Sequence, residues 1–236
     1  MGEKSAWRSP LTGRRVYAVV EGLTEEKFVK EVMGYDLAYK GIYLIPILIG
    51  TAKERKKRGG RVNEQGAVDH VTRLLKQESE TACTTCLDYY GIDEDFPGKA
   101  ASRSGGSAVE KAVVVEEAFK DVVIKKMGPS FNADRFLPHV QMHEFEGILF
   151  SDTGVLALAL GMPDLSEKLR EIEADFDSPE DIDDSYETKP SSRIVSIYPG
   201  YQKTVDGIVA ARRIGITAIR TKCPHFDSWY RTLEQL

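Results

Sequence analysis

The sequence has few cysteines and no long apolar segment. Three cysteines in 236 residues are too few, and odd in number, for a disulfide framework, so we expect reduced thiols and a cytoplasmic location. The longest nearly apolar stretch, residues 42–49, is interrupted by Pro46 and is far shorter than the roughly 20 residues that cross a bilayer. Residues 1–10 lack the apolar core of a signal peptide. We therefore expect neither secretion nor a membrane partner.

The composition is that of a globular protein whose charge is unevenly distributed. Hydrophobic residues make up 42% of the chain and charged residues 29%, which excludes wholesale disorder. The formal net charge is −5, yet residues 171–187 hold nine acids and no base. Residues 51–62 and 188–236 each carry a local net charge of +5. This distribution allows a polyanionic partner on one face, or an ordinary mixed surface.

Strand-like and helix-like segments alternate along the first 140 residues. The β-rich runs fall at residues 15–20, 42–49, 82–87 and 135–142. Helical periodicity falls between them, at residues 24–39, with Thr24 as N-cap, and at residues 62–77 and 107–126. This order predicts an α/β fold with an open, mostly parallel sheet and helices on both faces.

The pattern weakens after residue 150. We expect a short helix at 156–160, an acidic loop over 163–186, a partly helical stretch at 199–215, a last strand at 214–220 and a terminal helix at 226–236. Because these pieces do not build a core of their own, we interpret residues 151–236 as an α+β extension packed on the domain formed by residues 1–150.

Acidic residues follow three of the predicted strands. They are Glu21, Glu25, Asp88, Glu144 and Glu146. Because the carboxyl ends of parallel strands meet at one edge, where open α/β sheets bind ligands, we expect these side chains to lie close together. Carboxylates at close range repel each other unless a cation lies between them, and their oxygens suit Mg²⁺ or Mn²⁺. The sequence therefore predicts a divalent-metal site.

Each of these acids also has a simpler explanation. Glu25 could serve only to stabilise the N-terminus of the first helix. Asp88 could form a turn. Glu144 and Glu146 could pair with arginines such as Arg135. Each explanation is plausible singly, but it is less plausible that all of them hold together at one edge. For Glu21 the simpler explanation is weaker, because a charged residue directly after a buried strand usually needs a partner.

A basic loop follows the second predicted strand. Its bases are Lys53, Arg55, Lys56, Lys57, Arg58 and Arg61. The same topology places this loop beside the acids, where its side chains could contact the phosphates of a nucleic acid. Acids for a divalent ion beside bases for a polyanion are typical of metal-assisted phosphoryl transfer. The alternative is a solvated loop.

Two other metal motifs are weaker. Cys83 and Cys86 have Cys-x-x-Cys spacing but fall inside a predicted strand, and a zinc site would also need Cys223 and His225. His143 precedes a glutamate, but the second histidine that a zincin carries four residues later is missing.

Five motifs carry a resemblance to a known family. They are VEGLTEEKF at 20–28, TTCLDYYGIDEDFPG at 84–98, VQMHEFEGILFSD at 140–152, KPSSRI at 189–194 and CPHFDSWYRTLE at 223–234. A strand ending in Glu-Gly and a later strand ending in Asp resemble the Toprim domain of topoisomerases, bacterial primases and OLD-type nucleases. More closely, the chain resembles the Toprim-like bacterial family numbered 4276 among domains of unknown function. The resemblance implies that residues 1–150 form a Toprim-like metal-binding domain.

The resemblance also implies roles for the acids. Glu21 matches the Toprim glutamate, a metal ligand or general acid/base. Glu25 matches a second acid found one helical turn later in OLD-type nucleases. Asp88 matches the first Asp of the Toprim Asp-x-Asp, but Tyr90 stands where the second Asp would be. This departure puts two-metal catalysis in doubt.

The function so implied is a Mg²⁺- or Mn²⁺-dependent nuclease acting on DNA or RNA. Its catalytic residues would be Glu21, Asp88, Glu144 and His143. Its metal ligands would come from Glu21, Glu25, Asp88, Glu144 and Glu146. The basic loop, with Lys189, Arg193 and Lys203, would hold the nucleic-acid backbone.

The resemblance further implies an ATPase partner of AAA or ABC type in antiphage defence, and the chain could form homo-oligomers. Tyr90 motivates the main alternative, which is a binding or assembly subunit that kept the fold and lost the chemistry. A primase-type nucleotidyl transferase is a third possibility, disfavoured because the sequence contains no zinc ribbon.

Overall fold

The computed structural model describes residues 13–50, 61–182 and 188–236, with a five-stranded sheet at its centre. The strands are β1 Arg14–Val20, β2 Ile42–Leu48, β3 Ala82–Asp88, β4 Phe136–Leu137 and β5 Val140–Gln141. The order across the sheet is β2-β1-β3-β4, and β5 also pairs with β3. Every strand pair is parallel, so the predicted α/β fold is confirmed.

Helices connect and follow the strands. The α-helices are α1 Leu23–Phe28, α2 Gly34–Tyr39, α3 Glu64–Gln77, α4 Ala108–Met127, α5 Thr153–Ala159, α6 Ser166–Ala174, α7 Pro190–Ile197, α8 Ile208–Lys222 and α9 Pro224–Glu234. A π-helical turn, Val29–Met33, joins α1 to α2. None of the described helices combines the length and apolar character needed to cross a bilayer.

The sheet is covered by helices on both faces, as predicted. Successive side chains of a strand point to opposite faces, and on β1 Ala18 and Val20 belong to one hydrophobic core while Val19 belongs to the other. Helices α3 and α4 pack on the Val19 side, contributing Val71 and Phe119. Helices α1, α8 and α9 pack on the opposite side.

The strand register brings several strand ends to one edge of the sheet. Val20, the last residue of β1, pairs with Cys86 of β3. Glu21 therefore leaves β1 at the level where β3 finishes at Asp88. Gln141 of β5 pairs with Asp88, so the chain that follows β5 also emerges at this edge.

Local sequence explains the helix starts. Ser107 Oγ accepts a hydrogen bond from Glu110 N at 3.3 Å, and Glu110 Oε2 accepts one from Ser107 N at 2.7 Å, which completes a capping box at α4. The first helix differs from the prediction because Gly22 occupies its N-cap position. Thr24, the predicted cap, is buried within the first turn.

The fourth predicted strand is divided into two short strands, β4 and β5. Pro138 lies between them and lacks the N–H that a continuous ladder would need. Thr85 of β3 bridges the gap, because its Oγ1 accepts from His139 N at 2.9 Å and its hydroxyl donates to His139 O at 2.8 Å. A side chain thus replaces the missing backbone pairing.

The expected strand at 214–220 is wrong, and the described residues after 150 are helical rather than α+β. Those residues belong to α8, whose buried side chains, including Ala211 and Ile214, recur at helical spacing. Gly215 interrupts the helix with φ of 79°, a left-handed conformation that glycine adopts without a Cβ penalty. The isoleucines that suggested a strand are core residues of a kinked helix.

Part of the expected acidic loop is also helical. Residues 166–174 form α6, which buries Leu169 in the core. Pro179–Asp181 forms a 3₁₀ turn, and residues 183–187 lie outside the described residues. The acidic segment therefore contributes to packing over much of its length.

Glu180 should be a large contributor to stability. Its carboxylate is 1% exposed and accepts hydrogen bonds from His225 N at 2.9 Å and Phe226 N at 3.0 Å, in the first turn of α9. Glu180→Ala leaves both buried N–H groups without a partner, so we expect urea denaturation to show a free energy of unfolding lower by about 2 kcal/mol. The exposed first-turn residue Glu167, changed to Ala, is the control and should cost less than about 0.5 kcal/mol. If both variants lowered the free energy of unfolding equally, Glu180 would not be stabilising the start of α9.

Candidate metal centre

Strand ends bring five carboxylates to one edge of the sheet. Glu21 follows β1, Glu25 lies in the first turn of α1, Asp88 ends β3, and Glu144 and Glu146 follow β5. We call these five residues the acidic cluster. Four of them are buried, with Glu146 0% exposed and Asp88 7% exposed, and Glu21 is half-buried. The clustering that strand order suggested is present in the fold.

Lys203 lies among these acids. Its Nζ is 3.1 Å from Glu146 Oε2, 3.2 Å from Asp88 Oδ2 and 3.7 Å from Glu25 Oε1. The sequence suggested that Lys203 contacts nucleic acid, and nothing in its sequence context indicated this position. The structure places its ammonium where several carboxylates converge.

The segment that carries Lys203 is held against the cluster from two sides. It begins a π-helical turn, Lys203–Gly207, that precedes α8. Lys27 of α1 donates to the Thr204 carbonyl at 3.0 Å, and the Tyr201 hydroxyl donates to Glu146 Oε1 at 3.3 Å. The C-terminal helical region thereby supplies the only cation that the described residues place within 4 Å of Asp88.

Burial and mutual repulsion make several carboxylates of the acidic cluster harder to ionise. Burial raises the pKa of Glu21 well above its usual range, and the charges of Asp88 and Glu25 raise it further. Burial also raises the pKa of Asp88 to about 7, although Lys203 opposes the shift. Burial alone would lower the pKa of Lys203, but attraction to Asp88 and Glu146 holds that pKa well above its usual value. A further cation would favour the deprotonated carboxylates.

The charge of Glu144 is balanced by a lysine outside the acidic cluster. Glu144 Oε1 is 2.7 Å from Lys189 Nζ, and Glu144 Oε2 accepts from Ser191 N at 3.2 Å. Burial would raise the pKa of Glu144, but the hydrogen bonds from Lys189 and Ser191 outweigh it, so the pKa is lowered. Lys189 was predicted to contact nucleic acid, and the structure places it against this carboxylate.

The oxygen atoms of the cluster fit a divalent ion in chemistry. Glu25 Oε1, Asp88 Oδ1 and Glu146 Oε2 are buried and accept no hydrogen bond of good geometry from the described residues, although Lys203 Nζ lies 3.7 Å from the first and 3.1 Å from the last. A set of carboxylate oxygens suits Mg²⁺ or Mn²⁺. Within the described ranges, however, no three carboxylates of the cluster have ligand atoms within 4.8 Å of one another. Metal binding would therefore require the carboxylates around Lys203 to close in.

Gly91 is packed directly against Glu21. A Cβ added at Gly91 would lie 1.9 Å from Glu21 Oε2, so Gly91→Ala must displace this carboxylate. If the cluster binds a catalytic metal, we expect a loss of metal-dependent cleavage of about 10-fold or more. The free energy of unfolding should change by less than about 1 kcal/mol, because a flexible side chain moves rather than the backbone.

The control for Gly91→Ala is Gly154→Ala, where an added Cβ has no neighbour closer than 3.5 Å. Cleavage assays and urea denaturation on both variants show whether Gly91→Ala lowers activity without lowering stability. Full activity in Gly91→Ala would mean that the position of Glu21 is irrelevant to catalysis.

His143 and Tyr90 form the rim of the cluster. His143 has φ of 61°, the one positive value at a non-glycine residue in the described part of the chain. Its ring lies 5.6 Å from that of Tyr90, and Tyr90 N donates to His143 O at 3.2 Å. A positive φ at a non-glycine residue such as His143 costs energy and often marks a functional position. Tyr90, at the position where the sequence resemblance suggested a second aspartate, is 36% exposed.

The other predicted nucleic-acid contacts are only partly described. Residues 51–60, which include the bases from Lys53 to Arg58, lie outside the described residues. Arg61 is exposed at the end of that loop. Arg193 lies over the ring of Phe176 at 5.2 Å and donates to the Thr188 carbonyl. These assignments remain predictions.

The cysteines do not form the alternative zinc site. Cys83, Cys86 and Cys223 are buried free thiols. Among the residues that the structure describes, the one group of three potential ligands within 4.8 Å contains His225 but no cysteine. Its other members, Glu116 and His139, come from separate elements and were not singled out by the sequence.

The chain matches one described family. Residues 20–234 match the sequence profile of a family described as Domain of unknown function (DUF4276). Among solved structures, the C-terminal region of the Xanthomonas campestris pv. campestris OLD protein is similar, with 16% sequence identity and a TM-score of 0.35 over 94% of this chain and 98% of that chain. No curated protein matches the sequence.

Proposed function

The chain belongs to the family described as Domain of unknown function (DUF4276), and because that description assigns no activity, we propose a function from the acidic cluster: divalent-metal-dependent hydrolysis of phosphodiester bonds in DNA or RNA. The observation that carries the proposal is the convergence of five carboxylates and Lys203 at one edge of a parallel sheet. Open α/β sheets bind their ligands at this edge.

The energetics of the cluster support a cationic ligand. Buried carboxylates that raise each other's pKa reduce the stability of the fold. Arrangements of this kind occur at functional sites more often than at purely structural ones. A bound Mg²⁺ or Mn²⁺ would lower the pKa of a water molecule and stabilise charge on the phosphate. Glu21, Glu25, Asp88 and Glu146 are the residues that would hold it.

In the proposed site Lys203 would also contact the phosphate of the substrate. Its side chain is 34% exposed, so its ammonium can donate to a phosphate oxygen that approaches the cluster from solvent. Once displaced from the carboxylates by the ion, this ammonium could stabilise charge developing on that phosphate. His143 would orient the attacking water, and the basic loop, which includes Arg61, would hold the nucleic-acid backbone.

Two features favour a different function. Lys203 already neutralises part of the cluster, and Tyr90 stands where the resemblance would place a carboxylate. A binding or assembly subunit that lost its chemistry would show the same features. An ATPase partner of AAA or ABC type, a role in antiphage defence, self-association and a cytoplasmic location are further proposals that rest on the resemblance.

The deciding experiment is a cleavage panel. The protein is incubated with single- and double-stranded DNA and with RNA, in Mg²⁺, Mn²⁺ or EDTA, beside Glu21→Gln. The proposal expects cleavage that requires metal and is lost in Glu21→Gln. Activity that survives either EDTA or Glu21→Gln would contradict it. Absence of cleavage, with and without the product of the neighbouring gene, would favour the binding subunit.

A further inference from the structure

A second group of potential metal ligands lies apart from the acidic cluster and shares no residue with it. Its members are Glu116 of α4, His139 between β4 and β5, and His225 in the first turn of α9. One ligand atom from each lies within 4.8 Å of the others. Three elements that are distant in sequence therefore converge on one point.

The spacing of these atoms matches a tetrahedral ion. Glu116 Oε1 is 3.0 Å from His225 Nε2 and 3.5 Å from His139 Nδ1. Ligand atoms bound to tetrahedral Zn²⁺ at about 2.0–2.1 Å are separated by about 3.3 Å. The two observed separations lie on either side of that value.

The ring nitrogens of His139 are buried and could bind an ion. His139 is 0% exposed, and neither ring nitrogen makes a hydrogen bond of good geometry to a described residue, although Glu116 Oε1 lies 3.5 Å from Nδ1. Its ring stacks on Trp229 at 4.0 Å and on His225 at 4.7 Å, which fixes its orientation. Buried polar atoms without partners are rare and costly. A metal ion would satisfy one of these nitrogens.

Outer contacts orient the other two ligands. Glu116 Oε1 accepts a hydrogen bond from Val140 N at 2.7 Å. His225 presents Nε2 to Glu116, while its Nδ1 lies 3.9 Å from Glu180 Oε1, beyond hydrogen-bond distance. Metal-bound imidazoles usually donate their second N–H to a carboxylate, and a shift of about 1 Å would bring Glu180 within hydrogen-bond distance of this nitrogen.

The group is reachable from solvent. A cleft of about 270 Å³ is lined by Glu116, His225 and Trp229, among other residues. Glu116 is 15% exposed on its side chain. An ion can therefore enter, and a water molecule can complete its coordination.

We propose that Glu116, His139 and His225 form a binding site for a first-row transition metal ion, with Zn²⁺ as the preferred ion. Two imidazole nitrogens and one carboxylate oxygen suit zinc and not magnesium. The ion would tie α4, the β4–β5 connection and α9 together across the edge of the sheet. The site is independent of the proposed nuclease activity.

The test uses full-length protein without a histidine tag. The protein is stripped with a chelator, supplied with Zn²⁺, dialysed against metal-free buffer and analysed for bound metal. We expect about one equivalent of retained zinc and a melting temperature several degrees higher than that of the stripped protein. Substitution with Co²⁺ should give the visible absorption bands of a tetrahedral site. Folded wild-type protein that retains no zinc and shows no such bands would overturn the proposal.

Amino-acid substitutions inside and outside the proposed site show where the zinc ion binds. His225→Gln and Glu116→Gln should bind zinc at least about 100-fold more weakly, with circular dichroism confirming that they are folded. His70→Gln, which removes a histidine elsewhere, and Asp88→Asn, which alters the acidic cluster, should retain the ion. Equal zinc binding by His225→Gln and wild type would overturn the assignment, because the ion would then lie elsewhere.

Discussion

Replacing Asp88 by asparagine is expected to reduce metal-dependent phosphodiester cleavage by at least about 100-fold, since loss of even an outer partner of a metal ligand costs about 10- to 100-fold. Asparagine keeps the size of the side chain and removes the charge that would hold the ion. The loss should appear as a fall in kcat/KM at every Mg²⁺ or Mn²⁺ concentration. The exposed residue Asp164, changed to Asn, is the matched control and should retain full activity.

The same variant should be no less stable than the wild type at pH 8. Burial raises the pKa of Asp88 to about 7, against an unfolded value of about 4. The unfolded chain therefore loses this proton at lower pH than the folded chain, and the wild type loses stability as pH rises from about 4 to about 7. Asp88→Asn should lose less over that range in urea denaturation. A variant that keeps its activity would remove Asp88 from the site.

Replacing Lys203 by methionine is expected to make the fold depend on divalent metal. The change removes the cation from between Glu25, Asp88 and Glu146 and leaves buried carboxylates unpaired. Breaking a fully buried pair costs about 3–5 kcal/mol. Because Lys203 is 34% exposed, we expect a smaller loss of about 2 kcal/mol in EDTA, after allowance for solvent screening.

Millimolar Mg²⁺ or Mn²⁺ should restore more of the stability of Lys203→Met than it adds to the wild type, because the ion no longer competes with an ammonium. Thermal unfolding with and without metal measures both effects. Lys168→Met, on the exposed side of α6, is the control and should respond to neither change. A stable Lys203→Met protein that is indifferent to metal would mean that the cluster needs no cation.

Periodicity and strand order were enough to predict the sheet and the edge at which the acids meet. β3 is buried on both faces and β1 faces two cores, so their residue patterns are clear. Since parallel strands end at a common edge, Glu21 and Asp88 could be placed together without any knowledge of the helices.

The position of Lys203 could not be predicted in this way. It lies 115 residues from Asp88, and its place depends on how the C-terminal helices pack on the sheet. The same limit explains the incorrect strand at 214–220, where branched residues suggested a strand but their burial follows α8. Glu116, His139 and His225 likewise meet only in the tertiary structure.

Mn²⁺ diffraction tests most directly whether the acidic cluster binds a divalent ion. Crystals soaked in Mn²⁺ would be measured on both sides of the manganese absorption edge. The account predicts an anomalous peak bounded by Glu21, Asp88 and a further carboxylate of the cluster, with Lys203 Nζ displaced from its present contacts. No peak there at millimolar Mn²⁺, with Lys203 still paired to Asp88 and Glu146, would contradict the account.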